Sequence, residues 1–450
     1  MQGGSLAIVT DFYEITMAAV YHARGMNGPA TFSLFAHDLP PERGFMVAAG
    51  LEDALSYLES FAFSAEDIAY LASLNRFKPG FLDYLAGVRF SGEVWAMAEG
   101  TVCFAEQPLL EITAPIIEAQ LVETMIINII NLHSTLASKA ARCVLAAQGR
   151  TLVDFSLRRT QGVQAGMAAA RSSALVGFSG TSNVAAAKAY GINPVGTMAH
   201  SFVESFGDET AAFRAFAETF PDHTVILVDT YDSVAGLVRA IEVAGELKRR
   251  GHRLVGIRLD SGDLVGMSRQ ARAMLDQAGL EQAMVVVSGS LDEYRIADLL
   301  ARGAQVDLFA VGTRMGSSAD APYLDLAYKL VSYDGRPTLK LSTGKVSWVA
   351  PKQIWRRLDD QGRIQGDSLG LRDEDLPGQP LLAPVMRQGR RLEPGQGWQA
   401  ARQRYAEQIK SLPPQCLRLA EPRPLRVQAS PALAQLQENT RMQALNRQQG

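Results

Sequence analysis

With 450 residues, 47% of them hydrophobic and 20% charged, the chain has the length for two packed domains and the composition of a globular protein. Its formal net charge of -3 excludes the dense Lys/Arg surface that broad nucleic-acid binding requires, while leaving room for a local basic pocket. Cys103, Cys143 and Cys416 lie far apart without CxxC or Cys/His metal spacing, "MQGGSLAIVTDFYE" has no basic segment ahead of its short apolar run, and "MIINIINL" is too short to span a membrane; a cytoplasmic protein without a membrane partner is expected.

In chain order, "TFSLF" reads as a strand and "GLEDALSYLESF" as an amphipathic helix, its apolar positions falling at helical spacing. The segment "GEVWAMAEGTVCFAEQPLLEITAP" alternates and is punctuated by Gly and Pro, which predicts short antiparallel strands. A long buried helix is expected from about Ile116 to Gln148, where breakers are scarce. From Thr151 to about Gly316 short apolar runs end in polar or glycine residues: "TLVDFSLRR", "ALVGFSGTS", "NPVGTMAHS", "TVILVDTYD", "LVGIRLDSG", "MVVVSGS" and "VDLFAVGT". Continuous apolar runs separated by helical segments are the mark of parallel strands buried on both faces.

The fold class expected is therefore α/β: an irregular or incomplete α/β barrel over 116–326, packed against a smaller α+β domain. That smaller domain would be built from 1–115, with 327–386 returning to it through the strand-like "YKLVSYDGRPTLKLSTGKVSWVAPKQIWRR". The stretch 387–450, rich in Gln, Arg and Pro, is expected to form one helix near "GWQAARQRYAEQIKSL" and a solvated tail.

In a parallel barrel the chemistry gathers at the C-terminal ends of the strands. Those ends supply Phe155 with Arg158 and Arg159, then Ser179, Gly180 and Ser182, then His200. They continue with Asp229 and Asp232, Arg258 with Asp260 and Asp263, Ser288 with Gly289, and Gly312 with Thr313. Each has a bland explanation by itself: an ion pair for Arg258 and Asp260, tight turns for the glycines, a capped histidine for His200. Their coincidence on one rim points to an anion site. Glycine-rich ends offer backbone N–H groups at helix N-termini, arginines add bidentate anion binding, and Asp260 with Asp263 could hold a Mg²⁺ that keeps waters and bridges phosphates. The rim suits a pyrophosphate-bearing substrate, and Phe155 a flat ring as the second one.

The motifs "TDFYEITMAAVY", "DFSLRRTQG", "FSGTSNV", "GTMAHSF", "VDTYD", "IRLDSGD", "VSGSLDE", "FAVGTRMGSS" and "LKLSTGKVSWVAPKQIWR", in that order over most of the chain, resemble nicotinate phosphoribosyltransferases of the type II phosphoribosyltransferase fold. The resemblance implies synthesis of nicotinate mononucleotide and pyrophosphate from nicotinate and phosphoribosyl pyrophosphate, coupled to ATP hydrolysis with Mg²⁺. It implies transient phosphorylation of His200, with Asp229 orienting the imidazole. Phe155 would stack on the pyridine, Tyr13 from the partner subunit of a homodimer would cover its other face, and Arg258 would pair with the carboxylate. Arg158, Gly289 and Gly312, with Ser288 and Thr313 beside the two glycines, would hold substrate phosphates, and Asp260 would lie near the ribose and metal. Relatives that use nicotinamide carry an aspartate where this chain has Ser182, and a carboxylate there would repel an acid.

Other readings are quinolinate or nicotinamide phosphoribosyl transfer on the same fold, and a Schiff-base lyase on a barrel. The lyase needs a lysine projecting from a strand end, whereas Lys139 and Lys188 lie in helix-like sequence.

Overall fold

The computed structural model describes residues 6–341 and 347–449. It divides into two compact units, Met1–Ser138 with Tyr323–Gly450, and Lys139–Pro322. The "STGKV" portion of one motif, residues 342–346, lies outside the described residues.

The unit Lys139–Pro322 is an open parallel sheet with helical crossovers. Its strands are β1 (Thr151–Asp154), β2 (Gly180–Thr181), β3 (Val225–Leu227), β4 (Gly256–Leu259), β5 (Met284–Val287) and β6 (Leu308–Val311). They run in the order β2-β1-β6-β5-β4-β3, every pairing is parallel, and β2 and β3 stand at the two edges, so the sheet is a half-barrel. Val225–Leu227 and Val285–Val287 are buried throughout, the pattern of strands covered on both faces. The crossovers include Val163–Val176, Ser233–Arg249, Leu264–Gln277 and Glu293–Ala301.

Of the seven expected strands one is shortened and one is absent. Ala174–Val176 closes the helix Val163–Val176, and only Gly180–Thr181 of "ALVGFSGTS" is extended. This Ala-rich helix is buried along nearly its whole length, so its last turn has the same apolar signature as a covered strand. "NPVGTMAHS" contributes a single bridge, Thr181 to Pro194, because Pro194 lacks an N–H for the ladder and Gly196 follows two residues later. His200 consequently opens the helix His200–Phe206 and does not end a strand.

The other unit holds the larger share of the chain, where the sequence suggested the smaller. Its seven-stranded sheet places Pro29–Ala36 between Leu326–Tyr333 and Pro108–Pro115, both antiparallel to it, so the later segment does return to the N-terminal sheet. Lys352–Leu358 belongs instead to a four-stranded sheet with Ile364–Leu371. The stretch 387–450 is more ordered than a solvated tail: Gly397–Gln408 is the expected helix, Val427–Ala429 pairs with Ile364–Leu371, and Pro431–Gln449 is a second helix with Leu433 fully buried. The long helix breaks at Val122 into Ile116–Leu121 and Glu123–Ala147, and the division between the units falls inside its second part. Among the described residues no helix is long and apolar enough to cross a membrane.

Candidate active site

Strand alternation sets up the first group of side chains. Ile257 and Leu259 of β4 are fully buried, and Arg258 between them turns its guanidinium to the other face. Its Nε donates to Ser288 Oγ at 2.7 Å, Nη1 to Thr197 Oγ1 at 3.1 Å and to the Met198 carbonyl at 3.3 Å, and Nη2 to Asp260 Oδ1 at 2.7 Å. Ser288, buried just beyond β5, donates its proton to the same Asp260 oxygen at 2.5 Å. Phe155 lies under this cluster, with the guanidinium carbon of Arg258 5.5 Å from its ring centroid. Burial alone would raise the pKa of Asp260, but hydrogen bonds from Ser288 and Arg258 and the nearby Arg258 and His200 hold it below the ordinary carboxylate value.

Asp229 clips the loop that carries Asp260. Its Oδ2 accepts from the N–H groups of Asp260 and Ser261 at 2.8 and 2.9 Å and from Ser261 Oγ at 2.9 Å, while Oδ1 is buried without a hydrogen-bond partner. Gly289 closes over the same loop: its φ is +88°, and a Cβ there would sit 2.0 Å from the Asp260 carbonyl oxygen. Glycine at this position therefore has a steric role independent of any phosphate.

His200 is half-buried, and its Nδ1 lies 3.2 Å from Thr230 Oγ1. The expected contact from Asp229 is not the one formed: the hydrogen bond to His200 comes from the neighbouring Thr230, and Oδ2 of Asp229 serves the 260–261 loop.

The second group stands at the ends of β1, β2 and β6. Phe155 donates its N–H to the Val311 carbonyl at 2.8 Å, and Gly312 passes so close that a Cβ would lie 3.0 Å from the Phe155 carbonyl oxygen. Gly312 precedes the single turn Thr313–Gly316, where Thr313 is exposed. Arg158 is exposed in the turn Leu157–Arg159. Ser182 is half-buried, and its N–H donates to the Asp154 carbonyl at 2.8 Å.

The remaining residues stand apart from these groups. Asp263 is exposed at the N-cap of Leu264–Gln277 without a capping bond, and Asp232 caps Ser233–Arg249 through the Ala235 N–H. Tyr13 belongs to the other unit, on the helix Phe12–Ala23; it is 47% exposed, and burial of its ring base with the charge of Glu123 raises its phenol pKa. Lys139 is buried against Glu293 and Asp320 at 2.5 and 2.7 Å, and Lys188 is exposed on the helix Val184–Tyr190. Neither offers the strand-end amine of a Schiff-base enzyme. Among the described residues no group of three or more His, Cys, Asp or Glu side chains is placed to hold a metal ion.

Sequence reasoning passed over Thr197, Thr230 and Asp154. The first two are hydroxyls whose partners, Arg258 and His200, lie 61 and 30 residues away in sequence, so nothing local marks them. Asp154 is the polar residue that ends an otherwise apolar run, a visible signal in "TLVDF".

The half-barrel, with Arg258 over Phe155 and glycine at the strand ends, agrees with the type II phosphoribosyltransferase class that the sequence motifs resemble. The family models agree along the chain: the nicotinate phosphoribosyltransferase N-terminal domain over residues 8–131, the family core over 150–340 and the C-terminal domain over 378–437. Nicotinate phosphoribosyltransferase pncB2 of Mycobacterium tuberculosis is 51% identical over 412 residues, 91% of this chain and 88% of that one. Nicotinate phosphoribosyltransferase of Bacillus subtilis is 41% identical, covering 84% of this chain and 79% of its own. The crystal structure of human nicotinic acid phosphoribosyltransferase superposes with a TM-score of 0.87 at 30% identity, over 96% of this chain and 99% of that one. The chain belongs to the nicotinate phosphoribosyltransferase family.

Proposed function

We propose that this protein transfers the phosphoribosyl group of phosphoribosyl pyrophosphate to nicotinate, forming nicotinate mononucleotide and pyrophosphate as the first step from nicotinate towards NAD, and that ATP hydrolysis drives it. The observation that carries the reading is the Phe155–Arg258 pair, an aromatic face beneath a guanidinium whose fork is held by Ser288 and Asp260. Four of its five N–H groups have partners, and the two on Nη1 bind neutral oxygens that a carboxylate displaces readily. A flat aromatic acid fits that arrangement.

In the transfer step the pyridine nitrogen bonds to C1′ of the ribose as the C1′–O bond to pyrophosphate breaks, and the bonding electrons leave with pyrophosphate. Positive charge develops at C1′ in between, and the Asp260 carboxylate, kept ionised by its donors, offsets it. Arg158, Ser288, Gly289, Gly312 and Thr313 hold phosphates by charge and backbone N–H groups. Phe155 and Arg258 fix the ring, so catalysis comes mainly from position.

Asp260 and Asp263, hard carboxylate oxygens three residues apart in sequence, are the residues that would hold a Mg²⁺ keeping most of its waters. Such an ion would supply positive charge to offset that of the departing pyrophosphate. His200 accepts the γ-phosphoryl group of ATP on an imidazole nitrogen with release of ADP, and water later returns it as phosphate. Its half-exposed ring, fixed by Thr230, supports that role.

Assembly follows from family resemblance, and location from the cysteines. Exposed Tyr13 completes the site of a partner in a homodimer, and the three cysteines, all free and buried, suit the cytoplasm. The deciding experiment is a product assay with phosphoribosyl pyrophosphate and each of nicotinate, nicotinamide and quinolinate, with and without ATP and Mg²⁺. Nicotinate should be the substrate and ATP should stimulate it; turnover of quinolinate or nicotinamide in its place overturns the reading.

A further inference from the structure

Asp154 ends β1 fully buried, an expensive place for a carboxylate unless both oxygens are satisfied. Its Oδ1 accepts from the Ser156 N–H at 2.9 Å and its Oδ2 from Thr181 Oγ1 at 2.7 Å. Its own carbonyl accepts from the Ser182 N–H at 2.8 Å. Thr181 Oγ1 accepts in turn from the Asn183 N–H at 3.0 Å, and Asn183 Oδ1 caps the helix Val184–Tyr190 through the Ala186 N–H at 3.1 Å. One carboxylate thus joins the turn that carries Phe155 to the turn that carries Ser182.

The donor directions explain why the residue is an acid. An amide N–H can only donate, so Ser156 requires an acceptor. Thr181 already accepts from Asn183, so its proton must go to Asp154. Both partners present donors, and only a carboxylate offers an oxygen to each. Asparagine would set its NH₂ group against one of them. The fold does not otherwise require this, since β1 and β2 are joined by backbone pairing at Val153–Gly180 and Asp154–Thr181.

We propose that Asp154 is the positioning residue that fixes the spacing between the Phe155 and Ser182 sides of the base-binding pocket, and so sets affinity and selectivity for the pyridine acid. The proposal rests on the nicotinate reading above. It assigns no contact between Asp154 and substrate, and it predicts a larger effect on the base than on the phosphoribosyl donor.

The test uses the full chain with Asp154→Asn, Thr181→Val and Thr181→Ser. Hydrogen exchange measured by mass spectrometry without substrate comes first. Asp154→Asn should raise exchange in peptides covering both 152–160 and 178–186, while Thr181→Val should raise it in the second alone. In steady-state assays Asp154→Asn should raise KM for nicotinate roughly tenfold, the scale of one buried donor left unsatisfied. KM for phosphoribosyl pyrophosphate should rise by less, because Phe155 and Ser182 flank the two bonds of Asp154 directly while exposed Arg158 reaches a phosphate on a long side chain two residues beyond Ser156. Preference for nicotinate over nicotinamide should narrow. Thr181→Val should move the same parameters in the same direction, and Thr181→Ser, which keeps the hydroxyl, should recover most of the loss.

Equal changes in both KM values, or an unchanged nicotinate KM in a folded variant, overturn the proposal. Should Asp154→Asn fail to fold, the Thr181 pair decides it by the same KM comparison. If wild-type protein does not use nicotinate at all, the functional reading fails in that control, and the substrate-free exchange pattern still decides whether Asp154 couples the two turns.

Discussion

Arg258 lies over the ring of Phe155, its guanidinium carbon 5.5 Å from the ring centroid, on a fork already braced by Ser288 and Asp260. An acid on that ring gains a charge-assisted pair that the amide cannot form, and half-buried Ser182 adds no repelling carboxylate. Nicotinate should therefore be used far better than nicotinamide, since losing such a pair in a desolvated site costs about 2–5 kcal/mol, more than tenfold. Arg258→Lys should also lower kcat/KM for nicotinate, because a point charge cannot hold Ser288, Asp260 and a carboxylate at once. Comparable turnover of acid and amide by the wild-type enzyme would contradict this assignment.

Ser288 is the hinge of the Arg258–Asp260 pair: its hydroxyl accepts from one and donates to the other. Ser288→Ala removes a hydrogen bond to a charged group, and kcat/KM should fall roughly tenfold. The sign of the pH effect follows from the same bond. A donor that stabilises the carboxylate lowers its pKa, so removing it moves the Asp260 pKa up and the acid limb of the kcat/KM profile to higher pH. The two profiles, recorded where circular dichroism shows both proteins folded, should diverge below neutrality; coincident acid limbs would remove Asp260 as the group that must be ionised.

Glu14 is fully buried on the helix Phe12–Ala23, and burial pushes its pKa up to about 7 despite hydrogen bonds from Thr10 and Thr124. Its folded pKa exceeds its unfolded one, so its contribution to stability is complete at acid pH and declines as pH rises through about 7. Glu14→Gln keeps the shape without the titration. The Tm difference between variant and wild type should shift in favour of the variant from pH 6 to pH 8. A difference independent of pH would show that Glu14 ionises without penalty.

Most of the half-barrel was legible because covered parallel strands leave continuous apolar runs, and β1, β3, β4, β5 and β6 all lie within such runs. The misreadings have separate physical origins, Pro194 in "NPVGTMAHS" being one. A buried Ala-rich helix end such as Ala174–Val176 is as apolar as a covered strand, and periodicity over three residues cannot separate them. The rim residues were legible as residue types at run ends, but their partners were not. That His200 meets Thr230, that Arg258 reaches Thr197, and that Asp154 serves two donors depend on crossings between strands adjacent in the sheet or joined by long connections. The helix Pro431–Gln449 escaped notice because its sequence is polar on most sides and only a few positions, Leu433 among them, are buried.

Tyr13 bears on assembly. It is exposed on its own unit, and Phe155 is far from it in sequence. If each site takes Tyr13 from one subunit and Phe155 from the other, mixing inactive Tyr13→Ala and Phe155→Ala proteins should restore activity, because a heterodimer contains one intact site. Statistical exchange should return up to about a quarter of the wild-type rate, from half the dimers carrying one of two sites. The check is activity after subunit exchange verified by native mass spectrometry of differently tagged chains; no recovery would place both residues in one subunit's site.

His200 gives the sharpest chemical test. Its ring is half-buried at the start of the helix His200–Phe206, with Nδ1 held by Thr230 and with Asp260 within electrostatic reach. Incubated with ATP and Mg²⁺, the protein should acquire an acid-labile, base-stable phosphate on this residue, detected by mapping under alkaline conditions. His200→Asn keeps a polar group of similar size without a phosphoryl acceptor, so ATP hydrolysis and its stimulation of product formation should vanish together. Nicotinate binding should change much less, since the ring is assigned to Phe155, Arg258 and Tyr13. Slow ATP-independent transfer should survive, because placing the two substrates and releasing pyrophosphate do not pass through the phosphorylated imidazole. Normal ATP hydrolysis by the variant, or phosphate mapped to another residue, would reduce His200 to a helix-terminal histidine hydrogen-bonded to Thr230.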